Sequence, residues 1–302
     1  MPRPLRVATR GSELARWQAQ RVATLLGADT ELVVVSTTGD QRTDVPIHAV
    51  GGTGIFVKEV QQAVLDGRAD LAVHSAKDLP ASDAPEGLVL AATPERADPR
   101  DVLVGSTLDA LPAGARVATG SVRRRAQLVA LRPDLTFAEL RGNIATRLER
   151  AADFDAIVVA AAALTRLGLE DRADEYLEPS IVLPQVGQGA LAVECRSDDD
   201  ETRARVVAID DVQVHAAVDA ERAYLAELGG GCELPCGALA RVDGDEIAVE
   251  ALLAANDGHV VLRAHARDTE PVVAGRAVAA ELMDHGGRWL LEDSSLLGGG
   301  AA

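Results

Sequence analysis

The sequence predicts an α/β protein: two lobes built on mixed, mainly parallel sheets with helices on both faces, followed by a small C-terminal α+β domain. Three observations predict it. Short β-like runs alternate with helical stretches from LRVAT to DLAVHS, and the alternation resumes after Pro112, from ARVAT to FDAIVVA. Beyond about Asp211 this rhythm gives way to three alternating runs flanked by helices. Strand and helix in turn place helices over a parallel sheet, whereas consecutive alternating runs pair with one another.

The elements follow in order. LRVAT leads into a helix from Ser12 to Leu26, then LVVVS, then a helix from Ile55 to Leu65 before DLAVHS. The Pro- and charge-rich stretch TPERADPRD joins the lobes. The second lobe runs through ARVAT, a helix from Ser121, LTFAEL, a helix from Asn143 and FDAIVVA. The segment VHAAVDAERAYLAEL then ends at Gly229-Gly230-Gly231. CGALARV, EIAVEALLA and HVVLRAHA lead to a helix around Val272 to Met283, and the tail LLGGGAA reads as frayed.

A chain of 302 residues suits two domains and a small third. Lys+Arg 30 against Asp+Glu 47 gives a net charge of −17, which excludes nucleic acid and anionic membranes as partners. Aromatic residues at 2% offer no stacking platform for single strands. The longest apolar run, AIVVAAAAL, is far shorter than the roughly 20 residues of a membrane span, and MPRPLRVATR holds no apolar leader core. The reading is a soluble, cytoplasmic protein. Cys195, Cys232 and Cys236 close no disulfide framework, and no His/Cys cluster has metal-ligand spacing. Only Lys58 and Lys77 are lysines among the 30 basic residues. An acid-rich, lysine-poor surface suits concentrated salt, and a GC-rich codon bias accounts for it equally; both readings stay open.

Three strands end in a small turn that opens a helix: VATRGSELA (Arg10, Ser12), VATGSVRR (Thr119, Ser121) and ELRGNIATR (Arg141, Asn143). Each turn has a glycine and an N-capping Ser or Asn, so backbone N–H groups face outward at the carboxyl edge of a sheet, where open α/β sheets bind ligands. From Arg116 to Arg147 seven arginines face only Asp134 and Glu139, a local +5. Arg123, Arg124, Arg141 and Arg147 flank two of these turns, and guanidinium forks match carboxylates or phosphates, so the pattern predicts a cleft for a polyanionic ligand. In HSAKDLP, Lys77 and Asp78 stand where a strand becomes a loop on the ligand-facing edge. A carboxylate among arginines stays ionised and can oppose developing positive charge. His74 reads as a core or cleft-wall residue. In GGGCELPCG three glycines leave Cys232 on an accessible, bendable loop suited to covalent attachment; Cys195 and Cys236 read as structural thiols.

These segments together resemble the porphobilinogen deaminase (hydroxymethylbilane synthase) family. ATRGSELARWQA, VGGTGIFVKE, DLAVHSAKDLP, ERADPRDVLV, TGSVRRRAQL, LRGNIATRL, LTRLGL, LPQVGQGALAVECR and GGGCELPCG occur in family order along nearly the whole chain. The resemblance implies two lobes like those of periplasmic binding proteins, 1–93 with 189–207 and 98–186, and a C-terminal domain at 211–302. It implies a dipyrromethane cofactor thioether-linked to Cys232, and a transferase that joins four porphobilinogen molecules head to tail and releases hydroxymethylbilane for haem, sirohaem or corrinoid biosynthesis. By the same resemblance Asp78 matches the catalytic aspartate. Arg10, Ser12, Lys77, Thr119, Ser121, Arg123, Arg124, Arg141, Asn143, Arg147, Arg166 and Gln188 contact cofactor or substrate. Residues 41–54 look like a mobile lid, Lys58 beyond it reads as structural or marginal, and the family suggests a monomer. Gly120 and the second thiol, Cys236, depart from the family's usual pattern. The other readings of the residues are a two-lobed anion-binding protein without catalysis, and a Cys–His acyl-transfer enzyme using Cys232 with His74 or His215.

Overall fold

The computed structural model describes residues 3–37, 54, 56–81, 85–230 and 234–292. Cys232 and all of the expected lid except Gly54 lie outside these residues. The chain divides into two compact units, one of residues 1–97 with 189–215 and one of residues 98–188 with 216–302.

The first unit opens with β1 (Leu5–Arg10), α1 (Glu13–Leu26) and β2 (Thr30–Val35), followed by α2 (Lys58–Leu65), β3 (Leu71–Ser75) and β4 (Leu88–Ala92). The second holds β5 (Asp101–Val104), β6 (Arg116–Ala118), α3 (Val122–Leu131), β7 (Thr136–Ala138), α4 (Ile144–Glu149), β8 (Ala156–Ala160), α5 (Ala161–Arg166) and β9 (Glu175–Leu177). β10 (Leu191–Arg196) and α6 (Asp200–Val207) return to the first unit, and α7 (Val212–Glu227) spans the division between the units. The chain ends with β11 (Cys236–Asp243), β12 (Glu246–Ala254), β13 (Val261–Asp268), α8 (Pro271–Leu282) and α9 (Arg288–Glu292).

The first sheet has the order β2-β1-β3-β10-β4. β1 pairs in parallel with β2 and β3, whereas β10 runs antiparallel to β3 and β4. Alternate residues serve opposite faces, as the strand period requires. Val7, Leu71, Val73, Leu191 and Val193 pack with Ala19 and Val22 of α1, while Ala8 and Ala72 pack with Val60, Ala63 and Val64 of α2. α1 forms where Ala15, Gln18, Ala19, Val22 and Ala23 recur at helical spacing on one buried face, and the Ser12 hydroxyl caps it.

The second sheet repeats the plan in the order β7-β6-β8-β5-β9, parallel at β7-β6-β8 and antiparallel where β5 meets β8 and β9. The antiparallel share of both sheets exceeds what strand–helix alternation alone conveys, because β4, β5, β9 and β10 join without an intervening crossover helix of the expected kind. β11, β12 and β13 form a separate antiparallel sheet backed by α7 and α8. Tyr224 of α7 is fully buried there and donates its hydroxyl to the Leu252 carbonyl at 2.7 Å.

Asp70 ties the start of β1 to the approach to β3. Its buried carboxylate accepts from Arg3 at 2.7 and 2.9 Å and from the Arg6 backbone N–H and guanidinium, each at 2.8 Å. Burial acts to raise this carboxyl, but the donors of Arg3 and Arg6 outweigh it and hold it well below the usual carboxylate range. A depressed folded pKa stabilises the fold fully above the unfolded value near 4, and that contribution is lost as pH falls through the folded value. Asp70→Asn is therefore expected to cost about 2 kcal/mol at neutral pH and nothing extra in strong acid, measured as urea midpoints across the acid range.

Candidate functional site

In the first unit the candidate residues gather at the carboxyl ends of neighbouring parallel strands. Arg10 ends β1, and its guanidinium lies 4.2 Å from the centroid of the Phe56 ring. Ser12 follows, with its hydroxyl accepting from the Ala15 N–H at 3.3 Å. β3, paired to β1, runs into a single 3-10 turn, Ala76–Asp78, that carries half-buried Lys77 and Asp78. The turn is held from behind: Ala76 N–H donates to the Ala190 carbonyl at 3.0 Å, and Gln18 Nε2 donates to Ser75 Oγ at 2.9 Å.

In the second unit the carboxyl ends of β6, β7 and β8 supply the rest. Thr119 Oγ1 accepts from the Ser121 N–H at 3.2 Å, and Ser121 Oγ caps α3 through the Arg124 N–H at 3.4 Å. After β7, Asn143 caps α4 through the Thr146 N–H at 2.9 Å, and Arg147 Nε donates to the Gly142 carbonyl at 2.8 Å. Gly142 is obligatory: its φ is 111°, and a Cβ there would meet Thr146 Cγ2 at 2.9 Å. Arg141 and Arg147 are half-buried, Asn143 is exposed, and Arg166 is buried at the end of α5.

Arg123 and Arg124 do not stand on an open helix face. Both are buried, and both converge on Asp101, the fully buried first residue of β5. Arg123 Nη2 donates to Asp101 Oδ2 and Arg124 Nη2 to Oδ1, each at 2.7 Å. Gln188 Nε2 adds a bond to Oδ1 at 2.9 Å and another to the Pro99 carbonyl at 2.7 Å. Arg123 also donates to the Leu183 carbonyl, and Arg124 to the Val158 carbonyl at 2.9 Å. Burial acts to raise Asp101, but the two guanidinium groups outweigh it and hold the carboxyl well below its usual range. Burial lowers Arg123 from its ordinary value, with Asp101 opposing. The local +5 of the sequence is thus divided: Arg132 is bonded to Asp134 at 2.8 Å, Arg116 stacks on Phe154, and Arg125 is exposed.

Asp101 is the residue that sequence reasoning missed. Its signal was an acid at the head of DVLV, a run buried at every position. The described cysteines behave as structural thiols: Cys195 and Cys236 are buried, and burial pushes the Cys195 thiol up to about 11. Among the described residues no group of three or more His, Cys, Asp or Glu can hold a metal ion, and no helix is long and apolar enough to cross a membrane.

In each unit a sheet presents guanidinium groups and helix-opening turns at its carboxyl edge, chemistry that suits anionic groups. The sequence comparisons give the class. Residues 5–204 match the family model "Porphobilinogen deaminase, dipyromethane cofactor binding domain", and residues 215–284 match the porphobilinogen deaminase C-terminal domain. The porphobilinogen deaminase of Roseiflexus sp. (strain RS-1) is 49% identical over 304 residues, covering 96% of this chain and 99% of that protein. That of Acidithiobacillus ferrooxidans (strain ATCC 53993 / BNL-5-31) is 46% identical over 303 residues, covering 97% and 99%. Among solved structures, a periplasmic binding protein of Salmonella typhimurium with high arginine specificity aligns at 12% identity with a TM-score of 0.38, covering 68% of this chain and 91% of that one. The protein is a transferase of tetrapyrrole biosynthesis with a dipyrromethane cofactor. It belongs to the porphobilinogen deaminase family.

The residues fit that cofactor, whose rings carry acetate and propionate groups. Two buried guanidinium groups against one carboxylate leave a surplus positive charge, and Arg123 Nε and Arg124 Nε are buried without a hydrogen-bond partner among the described residues. An anion answers both needs. Asp101→Asn, which leaves the two cations facing each other uncompensated, is expected to destabilise the protein by about 3–5 kcal/mol, measured by urea denaturation.

Proposed function

We propose that this chain joins four porphobilinogen molecules head to tail on a dipyrromethane primer held by a thioether to Cys232, and releases hydroxymethylbilane by hydrolysis, water supplying the hydroxyl group and the proton that returns to the primer. The observation that carries the reading is the surplus of buried guanidinium over Asp101, beside helix-opening turns at one sheet edge. Each ring of substrate brings two carboxylates, so a growing chain calls for repeated cationic forks.

Arg10, Lys77, Arg123, Arg124, Arg141, Arg147 and Arg166 bind these carboxylates. Ser12, Thr119, Ser121 and Asn143 hold helix-opening turns whose N–H groups suit anionic groups, and Gln188 fixes Asp101 against the arginine pair. When bound, the cofactor supplies a pyrrole carbon on which the chain grows. Asp78 serves the two charge-separating events on the incoming substrate. The aminomethyl C–N bond breaks and ammonia leaves, which places positive charge on the pyrrole; the ionised carboxylate offsets it. Asp78 would also accept, directly or through water, the proton released when the substrate carbon is joined to a bound primer. Tethering through Cys232 makes each addition intramolecular on the acceptor side. The enzyme works as a monomer in the cytoplasm.

Intact-protein mass spectrometry together with turnover tests the reading. The native protein should carry the added mass of a dipyrrole, and Cys232→Ala should lose it. Asp78→Asn should keep the adduct while tetrapyrrole formation falls by about a hundredfold or more. Absence of an adduct on the native protein, or undiminished turnover in Asp78→Asn, would overturn it.

A further inference from the structure

Between α2 and the first sheet lies a polar cluster that the proposed chemistry does not use. Glu194 of β10, His74 of β3 and Gln61 of α2 are 1%, 5% and 4% exposed. Gln61 Nε2 donates to both carboxylate oxygens of Glu194, at 3.0 and 2.9 Å, and His74 Nε2 lies 3.1 Å from Glu194 Oε2. In the β3–β10 register Glu194 faces Ala72 and Ala192 faces His74, so the acid and the imidazole are diagonal neighbours on one sheet face. The apolar cluster on this face comprises Val35, Val60, Val64 and Leu88 with four alanines, and Val33 and Leu65 pack beside it. To that packing the bonds from Gln61 add a directional constraint, because a buried carboxylate parted from its donor is costly.

The position of α2 matters because its entry turn reaches the candidate site on two sides. Val57 N–H and Lys58 N–H both donate to the Gly54 carbonyl, at 2.9 and 3.1 Å, so this turn continues into α2. Phe56 lies under the Arg10 guanidinium. Gly54 lies beside Pro80, two residues beyond Asp78, so that a Cβ added at Gly54 would stand 3.3 Å from Pro80 Cγ. The entry turn therefore stacks on the residue that ends β1 and lies close to the chain that leaves the Lys77–Asp78 turn.

We propose that Gln61, His74 and Glu194 are positioning residues: a buried polar pin that sets α2 along the sheet and, through Phe56 and Gly54, fixes Arg10 and the Asp78 turn. The inference rests on the proposed role of Asp78. Its effect on the reaction is indirect, since none of the three side chains touches the reacting atoms.

The test compares pin variants with a control on the same helix, at temperatures where all are folded. Glu194→Leu and Gln61→Met are each expected to lower kcat/KM for porphobilinogen by about tenfold to a hundredfold, with the dipyrrole adduct still present by mass. Glu194→Gln, which keeps an acceptor for Gln61 and the shape of the acid, should recover most of the loss. Val64→Ala, which removes apolar packing from α2 but spares the pin, should lower the melting temperature and leave kcat/KM unchanged. Gln61→Met serves where Glu194→Leu fails to fold. The proposal is overturned by native kcat/KM in Gln61→Met, by no recovery in Glu194→Gln, or by an equal loss in Val64→Ala. Full turnover in Asp78→Asn would remove the reading beneath it, and that result is distinct from any of these.

Discussion

A carboxylate that cannot leave the interior organises the second unit. Asp101 has no exposure, so its charge must be met within the protein, and it is met by two guanidinium groups from consecutive residues of α3 and by the amide of Gln188. Those donors in turn grip carbonyls of Leu183, Val158 and Pro99. One charged atom group thereby joins β5, β8, the first turn of α3 and two connecting segments. The first turn of α3 is also the turn that Ser121 caps, so electrostatics and capping hold the same few residues. Two cations for one anion is an unbalanced arrangement, and on the proposed reading the imbalance lets this core feature serve a ligand as well as act as a strut.

The first unit holds its buried acid differently: Glu194 accepts from the Gln61 amide, and the His74 imidazole lies 3.1 Å from its carboxylate. On the proposed reading the second unit presents cations to carboxylates, while the first presents a carboxylate, Asp78, to developing positive charge.

Much of this was legible in the sequence because it is local. Ser12, Ser121 and Asn143 are read as caps from their position before an amphipathic run, and all three accept the N–H that the capping geometry requires. The carboxyl-edge placement of Arg10, Asp78, Thr119 and Arg141 follows from strand-turn-helix spelling. The roles of Asp101 and Glu194 were not legible, since their partners stand 22 and 87 residues away for the one and 133 for the other. A lone acid in an apolar run looks the same whether it faces water or an arginine. For the same reason the charge count from Arg116 to Arg147 treated as one group arginines that the fold sends to a helix end, an aromatic ring and a buried acid.

The sulfur of Cys195 sits inside β10 with no exposure, and its proton is held until about pH 11. Near neutrality only about one such group in ten thousand is a thiolate, and alkylation proceeds through that form. Electrophiles generated during turnover, or added as labelling reagents, therefore pass this side chain by, and its neighbours on the strand are spared the crowding that a covalent scar would bring.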